Sequence, residues 1–369
     1  MKIKLIFVIL LLINYAQLVF AEDSPPKDSP LKVGVATILS GDLAVGGDNT
    51  RKSIETYQKL YPNPRLNFIY EDCRLSSSEG LRAFQSLINS HGVDLIIGGC
   101  TSNGLMASAA LINRSKVPVI SISTGGSNVD DAGKYIFRIG NSDSLNGIEQ
   151  AVHFEANGLK QIAVLTEQTE YTQDISRFFF PKFQELGGEV VFSEEFLPGT
   201  SDFRSLAVRI RESKPQAIFM PTQTGTALGV FLRQWNEVAP DSKAEVHTTF
   251  VAAPNHDAHA VAGQYIVGVY YMEPAYSEKN ERRIEFFESF KAMHGADPSI
   301  PFHTAGVVDT LDLLSIYLEK NPVFDEAGFR EFLHSVEDYD GMLGTLNFDD
   351  RGNTAIGFRL NRIEKNILD

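Results

Sequence analysis

Residues 96–104 read IIGGCTSNG, a buried-looking apolar run that ends in two glycines, a cysteine and two hydroxyls. Three chemistries use such a set: a phosphate cradle, a redox centre, or an anion-binding helix start. Gly99 and Gly104 have the spacing of the two P-loop glycines, but Leu105 and Met106 stand where a lysine and a hydroxyl residue must follow, so the phosphate reading fails. The third reading places Ile96 and Ile97 in a strand, a tight turn at Gly98 and Gly99, and Ser102 as the cap of a helix running to about Arg114. A helix start offers unpaired N–H groups and partial positive charge, which suit a carboxylate. The same residues also serve as a plain helix cap with no ligand. Elsewhere, His256 and His259 are three apart, but no third ligand follows at a metal-site spacing, and a turn leading into a helix explains them better. Ser102 has no base beside it in sequence, so no hydrolase triad is read. The acid pairs Glu194-Glu195 and Asp349-Asp350 read as solvated surface. No cofactor and no metal are expected.

The two cysteines, Cys73 and Cys100, bear on the redox question. Lys2 and Lys4 precede an apolar run from Leu5 to Ile13, and Val19-Phe20-Ala21 comes before the acidic Glu22-Asp23. That pattern predicts a secretory signal peptide over residues 1–21, cut after Ala21, followed by a flexible, proline-rich lead-in over 22–30. An exported chain with an even cysteine count predicts a Cys73–Cys100 disulfide, worth on the order of 3 kcal/mol; two separate buried thiols are the alternative. The expected location is the periplasm or the exterior, as a soluble monomer. The formal charge of −14 argues against nucleic acid or anionic lipid as a partner.

The elements that must position these residues follow from periodicity. LKVGVATI (31–38), RLNFIYED (65–72), DLIIGG (94–99) and VPVISI (117–122) are short apolar runs, each followed by a helical period. They predict a parallel, doubly wound sheet. A second series, QIAVLTE (161–167), EVVFSEEF (189–196), AIFMPT (217–222) and EVHTTF (245–250), alternates with helices near 171–186, 202–213 and 226–238. The chain of 369 residues therefore reads as two α/β lobes. GVYYMEP (268–274) reads as a strand returning toward the first lobe, helical patterns follow near 278–294 and 303–319, and residues 343–363 read as two strands joined by a turn at Asp350 to Asn353.

The order of these features resembles the type I periplasmic solute-binding proteins of ABC importers, especially their leucine/isoleucine/valine-binding branch. The resemblance is carried by VGVATILSGDLAVGGDN (33–49), YEDC (70–73), IIGGCTS (96–102), VPVISIST (117–124), QTEYTQD (168–174), SDFRSLAVRIRESKPQAIF (201–219) and LGTLNFDDRGN (343–353). It implies two doubly wound parallel-sheet lobes joined by a multi-strand hinge. The expected division is 31–142 with 274–343 for one lobe and 143–273 with 344–369 for the other, hinged near Gly140 to Asp143, Met272 to Ala275 and Met342 to Thr345. The cysteines fall near where that branch carries a disulfide.

The implied function is capture of a small carboxylate-bearing, amino-acid-like solute between the lobes and its delivery to an ABC permease. Ligand sensing for a membrane receptor is the alternative, and a hydrolase the more remote one. Ser102 matches the serine that holds the ligand carboxylate, with Thr101 taking its place if the register is anchored on the cysteine. Ser123, with Thr124 beside it, matches a position whose backbone meets the ligand, and Tyr171 matches the aromatic residue laid over it. Thr224 stands where the branch has a second tyrosine, Gly46 where it often has a covering aromatic, and Gly125 where it has a threonine near the ligand ammonium. The acid that pairs with that ammonium is expected near Phe250 to Pro254, where this chain has none, and Asp257 is the nearest. The resemblance so modified implies a carboxylic acid, an amide or a differently oriented amino acid as a better ligand than leucine.

Overall fold

The computed structural model describes residues 30–41, 43–276 and 280–368. The expected signal peptide, and all but the last residue of the lead-in, lie outside the described residues. The first part of the chain forms β1 (Leu31–Thr37), α1 (Ala44–Leu60), β2 (Leu66–Asp72), α2 (Ser77–Gln85), β3 (Leu95–Gly98), α3 (Ser102–Ser115), β4 (Val119–Ser121) and β5 (Ile136–Arg138). The second forms α4 (Asp143–Ala156), β6 (Gln161–Glu167), α5 (Glu170–Glu185), β7 (Glu189–Phe196), α6 (Arg204–Ser213), β8 (Ala217–Phe219), α7 (Gly225–Val238), β9 (Glu245–Thr249), α8 (His256–Ala262) and β10 (Tyr270–Pro274). The chain ends with α9 (Glu281–His294), α10 (Pro301–Lys320), α11 (Glu326–His334), β11 (Tyr339–Gly341), β12 (Gly344–Leu346) and β13 (Phe358–Arg362).

The first sheet has the order β2-β1-β3-β4-β5 and is parallel throughout. Its strands are apolar on both faces because helices cover both. Val33, Val35 and Ile97 face a core built with α10, whereas Ala36 and Ile96 face one built with α2 and α3. Helix α10 is apolar nearly all round, which is why it lies buried rather than on the surface.

The second sheet has the order β13-β10-β9-β8-β6-β7. It too is parallel, except for β13, which pairs antiparallel with β10. Two sequence expectations are corrected here. The 268–274 strand does not return to the first sheet but lies between β9 and β13 in the second. Residues 343–363 do not form a hairpin: β12 pairs with β11, and β13 pairs with β10. The reason is the segment between them, which is drawn alongside β5. Arg138 donates its N–H to the Gly352 carbonyl, and Thr354 donates to the Arg138 carbonyl. β5 itself had no sequence expectation, being only three residues long.

Candidate functional site

In a doubly wound sheet, a crevice opens at the carboxyl ends of the strands where the order reverses. In the first sheet that point lies between β1 and β3, and the chain leaving β3 is the IIGGCTSNG stretch. Gly98 has φ +118°, and Cys100 adopts the left-handed φ of +62°. Cys100 is held there by a disulfide to Cys73, with Cα atoms 5.5 Å apart, which ties the end of β3 to the end of β2. The turn leaves Thr101, not Ser102, as the cap of α3: its Oγ1 accepts from the Gly104 N–H at 3.1 Å. Ser102 is one residue inside the helix, and its hydroxyl accepts from the Gly126 N–H at 3.0 Å. The start of α3 is thereby stapled to the loop after β4. In that loop Ser123 is exposed, while Thr124 is buried and its hydroxyl bonds Ser121.

In the second sheet the reversal lies between β6 and β8. Glu167, the last residue of β6, is buried and accepts from the Thr222 hydroxyl (2.7 Å), the Gln223 N–H (2.7 Å), and both the N–H (3.2 Å) and hydroxyl (3.0 Å) of Thr224. Four donors compensate this carboxylate and hold the loop leading into α7. Thr224 therefore supports Glu167 with its hydroxyl. Tyr171 lies in the first turn of α5. Its hydroxyl is buried, has no hydrogen-bond partner among the described residues, and lies near Asp143 and Thr249. Burial, then the Asp143 charge, pushes its ionisation well above the usual tyrosine range.

Asp143 opens α4, and its carboxyl lies against the Cα of Gly125. A Cβ at Gly125 would stand 2.1 Å from Asp143 Oδ1, so only glycine lets the two chains approach this closely. Asp143 keeps some accessible surface, but the surrounding protein strips most of its hydration. That desolvation, then the Asp174 charge, pushes its carboxyl well above the usual range. Arg138 pulls the other way, and Glu170 and Asp130 add to the rise. The Arg138 guanidinium is already engaged, 2.5 Å from Asp130 and 3.4 Å from the Gly126 carbonyl. Asp257, the acid nearest the expected position in sequence, faces solvent at the start of α8 beside His256. His259 turns inward, with Nδ1 3.2 Å from Asn366 Oδ1.

The two reversal points meet through direct bonds. Asp143 donates its N–H to the Gly125 carbonyl at 2.7 Å. Asp174 on α5 accepts from the Ser127 N–H (2.8 Å) and hydroxyl (2.9 Å), and Asn128 donates to Glu170 at 3.3 Å. The Asn103 N–H, in the first turn of α3, also faces Glu170. Because Asp174 is buried and doubly bonded, Asp174→Ala should cost about 2 kcal/mol in urea unfolding. Glu170→Gln, at the half-buried rim, should stay within about 0.5 kcal/mol. Equal losses in the two variants would show that this bridge is not where the stabilisation lies.

Of the residues singled out in sequence, Thr101, Ser102, Ser123 and Thr124 gather at the first reversal point, and Tyr171 and Thr224 at the second. Asp143 was missed. Its type and its place after a strand gave no signal, because its importance comes from meeting Gly125 in space.

A family model described as periplasmic binding protein matches residues 30–358. A leucine-, isoleucine-, valine-, threonine-, and alanine-binding protein of Pseudomonas aeruginosa is 23% identical over 349 residues, covering 90% of this chain and 89% of its own length. Among solved structures, the branched-chain amino acid transporter substrate binding protein of Streptococcus pneumoniae, in complex with isoleucine, has a TM-score of 0.78 at 19% identity, covering 91% of this chain and 96% of that one. A solute binding protein of an ABC transporter from Rhodopseudomonas palustris, in complex with 3,4-dihydroxy benzoic acid, has a TM-score of 0.78 at 23% identity, covering 91% and 93%. At such identities the likeness establishes the fold. Among the described residues, no helix is long and apolar enough to cross a membrane.

Proposed function

Since the chain belongs to the periplasmic binding protein family, we propose that it is an exported binding protein that captures a small carboxylate-bearing, amino-acid-like solute and delivers it to an ABC-type permease. Capture takes place between two lobes, one built on each sheet, with residues 344–356 packed beside β5 in the first rather than with the second, that close about the segments connecting the sheets. The observation that carries this reading is the meeting of the two reversal points: the loop after β4 bonds Asp143 and Asp174, and the start of α3 faces Glu170, next to Tyr171 on α5. A ligand gripped from both sides shifts the population toward the closed form through contacts that the open form lacks.

The solute carboxylate is received at the start of α3 by the Thr101 and Ser102 hydroxyls and the Ser102 N–H, together with the Ser123 backbone, and the Tyr171 ring covers its apolar part. The relatives support the class, since one solved neighbour holds isoleucine and another an aromatic carboxylic acid. Engagement of the Ser102 hydroxyl by the Gly126 N–H supports capture over acyl transfer.

The test is mass spectrometry of the solute released by denaturing the native protein, followed by calorimetry with that solute. Thr101→Val and Tyr171→Ala should each weaken binding about tenfold or more, which is about 1.4 kcal/mol. Thr101→Val should also cost about 1 kcal/mol of stability through the lost cap. Undiminished affinity in both variants would place the solute elsewhere.

A further inference from the structure

We propose that His247 and Gln150 form an acid-sensitive clamp between β9 and α4, sound only while the imidazole is neutral, so that acid favours release of α4 from the second sheet.

The geometry carries it. His247 lies on β9 and Gln150 on α4, and both are fully buried. Gln150 Nε2 donates to His247 Nδ1 at 3.3 Å. The proton of the neutral ring then sits on Nε2, which donates to Glu245 Oε2 at 3.2 Å. The ring is also fixed by its aromatic neighbours: it stacks on Tyr270 of β10 with centroids 4.8 Å apart and meets the Phe154 ring of α4 at 4.7 Å.

A proton on Nδ1 would set two donors face to face. The other end of the same amide, Gln150 Oε1, is buried without a partner among the described residues. Turning the amide would bring that oxygen to Nδ1 and leave the NH2 group buried without an acceptor in its place, so neither arrangement serves the cation without cost.

The charged and titratable groups around the ring decide the sign. From α4, His153 lies 5.6 Å away, ring to ring, and a charge on one disfavours a charge on the other. From β10, Tyr270 is in register with both His247 and Arg362 of β13, and the Arg362 guanidinium sits over the Tyr270 ring at 5.5 Å. β8 places Phe219 in register and adds no charge. Glu245 alone favours the cation, but its side chain is 40% exposed and water screens it. Burial, then the His153 charge, therefore holds the ring at about 3, against an ordinary 6.5.

The native ring thus declines a proton that the unfolded chain takes up at its ordinary value. The stability that depends on the neutral ring is complete above pH 6.5 and is lost progressively as the pH falls toward 3. The helix concerned is bonded to both sheets: Asp143 donates to the Gly125 carbonyl, and Phe358 of β13 donates to Glu149.

The experiment is urea unfolding of the full mature protein at about pH 7.5 and about pH 4.5. Between them, the wild-type unfolding constant should rise about a hundredfold more than that of His247→Phe, the effect of one proton taken up over about two pH units. His153→Gln, which removes the smaller contribution, should keep most of that excess. Gln150→Glu, which sets a carboxylate against Nδ1, should remove it, because the folded state then accepts the proton. NMR of histidine-labelled protein should show the His247 ring neutral in folded wild type at the lower pH and cationic in Gln150→Glu. In acid, amide exchange should open α4 and β9 before β1 and β3.

Equal acid responses in wild type and His247→Phe, or a cationic His247 in the folded wild type at about pH 4.5, would overturn the proposal. So would exchange that opens the first sheet before α4 and β9. If His247→Phe does not fold, Gln150→Glu and the wild-type NMR titration decide, and an acid response left unchanged by Gln150→Glu overturns the clamp.

Discussion

Gly98→Ala is expected to remove about 3 kcal/mol or more of stability, the largest loss from adding a single methyl group in the strand-to-helix turn. Gly98 is paired with Ala36 of β1, and its φ of +118° is a conformation that L side chains rarely adopt. A Cβ added there would stand 2.1 Å from the Ala36 carbonyl oxygen. That oxygen cannot retreat, because it accepts from the Gly99 N–H at 3.0 Å and belongs to an interior strand of the sheet, held between β2 and β3. Relief requires parting β1 from β3 at the point where the crevice opens. Urea unfolding would measure the loss, and solute affinity should fall with it because Thr101 is presented by the same turn. A loss below about 1 kcal/mol would show that the turn can relax, and that its glycine is not a steric necessity.

Removing the disulfide is the second large effect. Cys73→Ser with Cys100→Ser should lower stability by about 3 kcal/mol, as should reduction of the wild-type protein. Part of that loss is the restored freedom of the unfolded loop between the two cysteines. A further part is local. Cys100 holds a left-handed conformation that is unfavourable for a residue with a Cβ, and the bond to Cys73 keeps it there. Once released, the turn no longer points Thr101 into the first turn of α3, so solute affinity should fall as well as stability. Unfolding and calorimetry with and without reductant separate the two effects. Unchanged affinity in reduced, still folded protein would show that the β-sheet alone positions Thr101.

The two series of apolar runs were legible because burial on both faces leaves a local record. Val33, Val35 and Ile97 on one side and Ala36 and Ile96 on the other are the marks of a strand covered by helices, and they predicted the strands of the first sheet to within two or three residues. The cysteine pair was legible from its even count and the expected export. β5 was not, since three residues are too few for periodicity to register. Nor was the path of residues 343–363, where a turn signal at Asp350 to Asn353 suggested a hairpin and the bonds to Arg138 carried the chain along β5 instead.

The candidate site divides in the same way. The sequence by itself determined that a glycine turn with hydroxyls after it would end a buried strand and open a helix, because propensity, capping and burial act within a few neighbouring residues. Which hydroxyl caps the helix was decided by the left-handed Cys100 and its disulfide, which shift the helix start so that Thr101 caps and Ser102 reaches Gly126. The approach of Asp143 to Gly125 belongs wholly to the tertiary structure. It depends on the order of two sheets and on the chain crossing between them after β5, and no local pattern encodes either. Local physics set the elements and one end of the candidate site. The charge at the other end comes from a contact that exists only once both sheets are in place.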